Sequence, residues 1–389
     1  MIYTGVLAAF GKRNLVMAVH FLAVEHLPNL LTALKVHGYD VVGPMVRDGA
    51  IVYDHLEDIS ELPLGVMSVQ RPGTYRLSES TSSRYFSWAN GPSALKPLLY
   101  KARQALWTVE QVAVATVDGL VFKDTVPEPV KTAVIGVRPC DIAAMKIQDQ
   151  HFLQSDYVDP YYQAERNSLF TVAVNCSTSN DTCFCASTGD GPALDDGYDL
   201  LLDELESGFL IRSGSDAGTA ILEKLPIMKA GSDLIELAEQ QSQKAAEKQK
   251  RYLIDENMHA NLFSQLDSRR WYDIADRCLS CGNCTSVCPT CFCHRETETA
   301  DLDGTKSTHY REWSSCFNAD HSVMHGHALR DSSELRYRQW MLHKLGSWIN
   351  QYGRSGCVGC GRCIAWCPVG IDFPAEANAI SGEFDLWEQ

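Results

Sequence analysis

The hydrophobic positions change their period several times along the chain. Leu27, Leu30, Leu31 and Leu34 fall at helical spacing. Tyr39–Pro44 and Ala50–Tyr53 are short apolar runs with a polar, glycine-containing break between them, and they predict two strands. Gly73 to Gly91 is polar and predicts a loop-rich stretch. Thr132–Val137 and Leu169–Val174 are unbroken apolar runs, the pattern of strands buried on both faces. A helix through Gln150 lies between them, so strand, helix and strand form a βαβ unit with parallel strands. From Ser232 to Phe263 Glu, Gln, Lys and Ala dominate, which predicts one connecting helix. Leu335 to Tyr352 reads as helical and aromatic. The expected architecture is an α/β N-terminal domain with a partly parallel sheet (residues 1–230), a connecting helix (231–266) and an α-rich C-terminal domain (267–389).

Cysteine spacing turns that outline into chemistry. Cys278-x2-Cys281-x2-Cys284-x3-Cys288-Pro289 is repeated as Cys357-x2-Cys360-x2-Cys363-x3-Cys367-Pro368. This is the run that wraps a [4Fe–4S] cluster in bacterial-type ferredoxins. Three thiols on one tight loop reach one face of a cubane, and Gly282, Gly359 and Gly361 allow the positive φ such a loop needs. The fourth cysteine of each run serves the other cluster in two-cluster ferredoxins. One cluster is therefore expected on Cys278, Cys281, Cys284 and Cys367, and the other on Cys357, Cys360, Cys363 and Cys288. That makes the C-terminal domain a dicluster, ferredoxin-like one. Structural zinc needs two Cys-x2-Cys pairs rather than a triplet followed by Cys-Pro. The 65 or so residues between the runs are expected to form a surface excursion.

Four more cysteines lie in the N-terminal half. Cys140 and Cys176 come directly after the two buried strands, and Cys183-Phe184-Cys185 lies on the loop that follows. Parallel neighbours end on one sheet edge, where sites in open α/β sheets gather. A third iron–sulfur cluster on Cys140, Cys176, Cys183 and Cys185 is the expectation. Small buried thiols and a redox-active Cys-x-Cys pair stay open as alternatives. Beside Cys140, Arg138 and Asp141 are read either as an ion pair ordering the loop or as a source of hydrogen bonds to cluster sulfur. Cys291 and Cys293 are expected to shield the first cluster, with replacement ligation as the alternative. Cys316 finds no partner by spacing. His321, His325 and His327 read as a polar surface or packing group.

Composition narrows the function classes. With 389 residues, two or three domains fit. A formal net charge of −15 argues against nucleic acid as a partner. No apolar run is long enough for a bilayer. The opening, Met1 to Ala18, is mildly apolar but lacks signal-peptide order and reads as an extension. A cytoplasmic protein is expected, and 15 cysteines in such a chain point to metal or redox work. There is no Gly-x-Gly-x-x-Gly after a strand and no Cys-x-x-Cys-His, so nucleotide and covalent haem sites have no fingerprint.

Several elements together resemble a known family: Arg138-Pro139-Cys140-Asp141, Asn175-Cys176, Thr182-Cys183-Phe184-Cys185, Gly189-Asp190-Gly191-Pro192, Cys288-Pro289-Thr290-Cys291-Phe292-Cys293, and the second cluster run with Cys367-Pro368-Val369-Gly370-Ile371-Asp372. They look like the beta subunit of cytosolic nickel–iron sulfhydrogenases, itself similar to the corresponding iron–sulfur component of anaerobic sulfite reductase. The likeness runs from about Phe21 onward. It implies an electron-transfer component with no bond-making of its own. Such a component relays electrons between a flavin/NAD(P) subunit and the small and large subunits of a hydrogenase. Sulfite reductase subunits with a sirohaem are the alternative partners. A cluster-based redox sensor is an alternative of another class, against which the acidic charge and the missing helix-turn-helix count.

Overall fold

The computed structural model describes residues 18–114, 117–254 and 257–382. The opening extension, up to Met17, lies outside them. The N-terminal half is built on an eight-stranded mixed sheet. From edge to edge it runs Met228–Lys229, His20–Ala23, Gly208–Ser213, Leu200–Glu204, Leu169–Val174, Thr132–Val137, Asp40–Arg47 and Ala50–His55. The four strands from Leu200–Glu204 to Asp40–Arg47 are mutually parallel, and the flanking pairs are antiparallel.

Residues alternate between two cores. Ile135, Val172, Val174, Leu200 and Leu202 face the helix Leu27–Val36 through Leu27, Leu30 and Leu34. Val134, Val137, Ala173 and Leu201 face the other way, onto Ile142 and Met145 of the helix Pro139–Leu153. Both central strands are covered on each face, which is why they read as unbroken apolar runs.

The C-terminal region gathers short helices around an aromatic core of Trp271, Phe317, Tyr337, Trp340 and Phe373. Glu376, nearly buried, ties the last described helix, Phe373–Ser381, to Arg270 and Arg277 at 2.6 Å each. Among the described residues no helix is long and apolar enough to cross a membrane.

Three elements differ from the sequence pattern. The segment between the cluster runs is no detached excursion: His294–Ala300 and Lys306–Trp313 form a hairpin whose inner strand pairs with Arg103–Val114. Together with Val117–Asp124 they make one four-stranded antiparallel sheet spanning both halves of the chain. Thr74–Glu79 is a strand paired with Val66–Arg71, held where Tyr75 stacks on Trp366 at 5.0 Å. The connecting helix is two helices, Ser232–Glu247 and Met258–Ser264. Between them Arg251 is drawn into an ion pair with Asp372 (2.6 Å) and a bond to the Asp181 carbonyl, so the chain leaves the helix.

Candidate cluster-binding sites

Each cysteine run enters its site through a tight turn. Gly282 and Gly361 hold φ of 75° and 71° and lead into the one-turn helices Asn283–Ser286 and Arg362–Ala365. The backbone N–H of Ser280 points at the Cys278 sulfur and that of Ile371 at the Cys367 sulfur, both at 3.4 Å.

Two cavities lie where the runs meet. The first, about 420 Å³ and open to solvent, is lined by Cys278, Cys281, Cys284 and Cys367, with Cys363, Phe317, Tyr337 and Trp340 among its walls. The second, about 320 Å³, is lined by Cys288, Cys357, Cys360 and Cys363, with Phe184 and Lys344. Each thus draws thiols from both runs. Cys278 lies beside Cys281 and Cys367, and Cys288 beside Cys357, Cys360 and Cys363. Cys284 is next to Cys288, where the two sites approach each other. Burial pushes the Cys284 and Cys363 thiols well up, and Cys357 up to about 12. Such thiols stay protonated until a metal displaces the proton.

The walls differ in exposure. Cys281 is exposed, flanked by Leu279 at 63% and Val369 at 39%. The thiols of the second cavity sit on the inner side of the dicluster region, against Phe184, Val358 and Lys344, all buried.

The N-terminal cysteines converge as well. Cys140 is the second residue of the helix Pro139–Leu153, at its positive end. Cys176 follows the neighbouring parallel strand, and its N–H bonds to the Pro192 carbonyl at 3.0 Å. Cys185 lies beside Cys140, Cys176 and Cys183. Burial is the chief cause pushing all four thiols up. Arg138 is 2% exposed and has no carboxylate partner. One of its terminal nitrogens donates to the Phe86 and Trp88 carbonyls at 2.7 Å, but its Nε and Nη1 have no partner. Its positive charge sits by Cys176 and Cys183 and opposes the effect of burial there. Buried unpaired N–H groups are costly, and an anionic, sulfide-rich group would supply both charge and acceptors.

Among the described residues no group of three or more His, Cys, Asp or Glu side chains is disposed to hold a single metal ion. The cysteine groups instead edge cavities with room for a multi-iron cluster.

A 4Fe-4S dicluster domain model matches residues 277–371. Over 310 residues the chain is 33% identical to sulfhydrogenase 2 subunit beta of Pyrococcus furiosus, covering 78% of this chain and 88% of the relative. The chain belongs to the sulfhydrogenase beta-subunit family. No solved structure matches it.

In this family member the N-terminal cysteines and the second cavity share a wall. The Phe184 N–H donates to the Gly359 carbonyl at 2.9 Å. Gly359 has φ of 63°, and a side chain there would strike the Cys185 backbone. Cys360 lies beside Cys140, Cys183 and Cys185. Arg362, from the second run, pairs with Asp141 at 2.8 Å, and both are 1% exposed. Asp141 therefore reaches across to the other half of the chain rather than pairing with Arg138. Sequence reading missed Lys96 and Lys344, two buried lysines beside the cysteine loops, because an isolated Lys carries no pattern.

Proposed function

We propose that this chain is the iron–sulfur electron-relay subunit of a hydrogenase complex, working between a flavin/NAD(P) subunit and the hydrogenase small and large subunits in the cytoplasm. The observation that carries this reading is the pair of adjoining cavities, each edged by four thiols taken from both cysteine runs. Cys278, Cys281, Cys284 and Cys367 would hold one cluster, and Cys357, Cys360, Cys363 and Cys288 the second. Cys140, Cys176, Cys183 and Cys185 would hold a third, with Arg138 supplying the hydrogen bonds its Nε and Nη1 do not make within the protein. Each cluster, when bound, takes up and gives back one electron.

The chain's own residues set the conditions for that traffic. Cys284 beside Cys288, and Cys360 beside Cys185, put successive sites in direct contact. Phe184, Val358, Phe373 and Trp340 keep water from the middle site, and a dry shell lowers the reorganisation an electron must wait for. Asp141 and Arg362 neutralise each other across the boundary between middle and N-terminal sites. The exposed end at Cys281, Leu279 and Val369 suits contact with one partner subunit. The relative's identity as a sulfhydrogenase beta subunit supports the hydrogenase assignment.

The test is anaerobic purification of the native complex, metal analysis, and an EPR-monitored redox titration of the full chain. Nickel in the complex and at least two one-electron iron–sulfur couples in this subunit are expected. Cys176→Ala should cost about four irons relative to the unmodified chain. Sirohaem in place of nickel would assign the complex to sulfite reduction, and an iron-free, folded chain would end the relay reading.

A further inference from the structure

Three cysteines are left over once the twelve above are assigned, and the fold brings them together. Cys291-Phe292-Cys293 follows the first run. Phe292 turns into an aromatic wall, stacking on His151 at 3.9 Å and lying 5.6 Å from Trp348. In an extended segment alternate residues face opposite ways, so Cys291 and Cys293 share the other side. Cys316 follows the strand Lys306–Trp313, and the base of that hairpin is closed by the Ser314 N–H donating to the Cys293 carbonyl at 2.9 Å. The Cys293 sulfur touches that of Cys316 and the His321 ring, and Cys291 lies beside both other thiols. His321 Nδ1 lies 3.4 Å from Ser314 Oγ, a contact that orients the ring. Cys291 and Cys316 are buried.

A second, independent observation concerns charge. Lys96 and Lys344 are both buried, and neither ammonium lies within ion-pair distance of a carboxylate among the described residues. Lys96 Nζ reaches only the Thr285 and Ser286 carbonyls at 3.4 Å and the Trp313 ring at 4.1 Å. The sulfurs of Cys291, Cys288 and Cys293 are its nearest potential anions. A buried cation demands a buried anion, and neutral thiols do not provide one. Cys288 with the second cavity accounts for Lys344; Lys96, facing Cys291 and Cys293, is left without a counter-charge.

We propose that Cys291, Cys293, Cys316 and His321 bind an additional iron–sulfur cluster, separate from the relay sites. Each thiol releases its proton to solvent as its sulfur bonds iron, and three thiolates with a neutral imidazole leave the site anionic beside Lys96. A single ion is excluded, since no such group among the described residues is disposed to hold one. Histidine in place of one cysteine raises a cluster's potential, so this site takes electrons more readily than an all-cysteine one. It adjoins Cys284 and Cys288 and stands as a side branch off the relay.

The experiment compares the anaerobically prepared full chain with Cys316→Ser and His321→Cys. Cys316→Ser should lose about four irons and four sulfides per chain, with the remaining EPR signals unchanged. His321→Cys should keep its iron and shift one couple to lower potential, which also serves if Cys316→Ser fails to fold. Unchanged iron in Cys316→Ser, loss of zinc rather than iron, or a His321→Cys titration identical to the parent would each overturn the proposal. These outcomes are differences between variants, so they stand apart from the Cys176→Ala result.

Discussion

Replacing Lys344 with methionine tests the electrostatics of the second cavity with a sign that depends on iron. Lys344 is 3% exposed, and its Nζ bonds Thr290 Oγ1 at 2.7 Å and the Gly356 carbonyl at 3.4 Å. Burial alone would push this amine down, but the sulfurs of Cys288, Cys291 and Cys357 outweigh it and hold it well above its ordinary value. Methionine matches the length and removes the charge, and Thr290 Oγ1 still donates to the Gly356 carbonyl at 2.7 Å. In iron-free protein Lys344→Met should be neutral or stabilising by about 1–4 kcal/mol, as for other buried charges exchanged for hydrophobes. In loaded protein the loss of a cation opposes reduction. A unit charge roughly 6 Å from the cluster centre, at an effective dielectric of about 20, contributes about 2.8 kcal/mol. For a one-electron couple that is a fall of about 120 mV. Urea melts of the iron-free form and an EPR-monitored titration of the loaded form read the two arms. A couple that stays within about 30 mV of the parent, or rises, would refute the placement of a cluster against Lys344.

Other variants probe the remaining contacts. Gly359→Ala forces a side chain into positive φ and against the Cys185 backbone; a cost above about 2 kcal/mol is expected, with iron lost from both the middle and N-terminal sites in metal analysis. Cys281→Ala and Cys360→Ala should each remove one cluster's signal. The Cys360 variant should also melt earlier, because its thiol lies at the junction between the chain's two halves. Burial lowers the pKa of His151 and His343. His343 Nε2 accepts from Trp348 Nε1 at 2.7 Å, which requires the neutral ring. The folded pKa lies below the unfolded value of about 6.5, so this stability is present above that pH and lost as pH falls through the folded pKa. Melting temperature should therefore drop between about pH 7 and pH 5, and His343→Gln should flatten that slope; an equally steep slope in His343→Gln would count against the buried neutral ring.

The parallel centre of the large sheet was readable because Thr132–Val137 and Leu169–Val174 are covered on both faces and need apolar residues at every position. The convergence of Cys140 and Cys176 followed from parallel pairing alone. The turn glycines Gly282, Gly359 and Gly361 take the positive φ that the run spacing requires. Other features depend on partners far along the chain. His294–Ala300 is almost wholly exposed and carries no strand pattern; what makes it a strand is the hairpin partner Lys306–Trp313, anchored on Arg103–Val114. The break before Met258 has no Gly or Pro to announce it and comes from the pull of Asp372 and Asp181 on Arg251. Cys316 gained neighbours only when the hairpin folded back, and Asp141 found Arg362 rather than the adjacent Arg138.

The sheet shared by residues 103–124 and 294–313 orders events during synthesis. As the nascent chain leaves the ribosome, Arg103–Val114 can pair only with Val117–Asp124, and its other side stays an open template for stray strands until Trp313 has emerged. By then the first cysteine run is out but the second is not. A truncated message ending before the hairpin should thus yield sticky, iron-poor fragments, and transplanting the C-terminal third onto another carrier would leave both pieces with an uncovered edge.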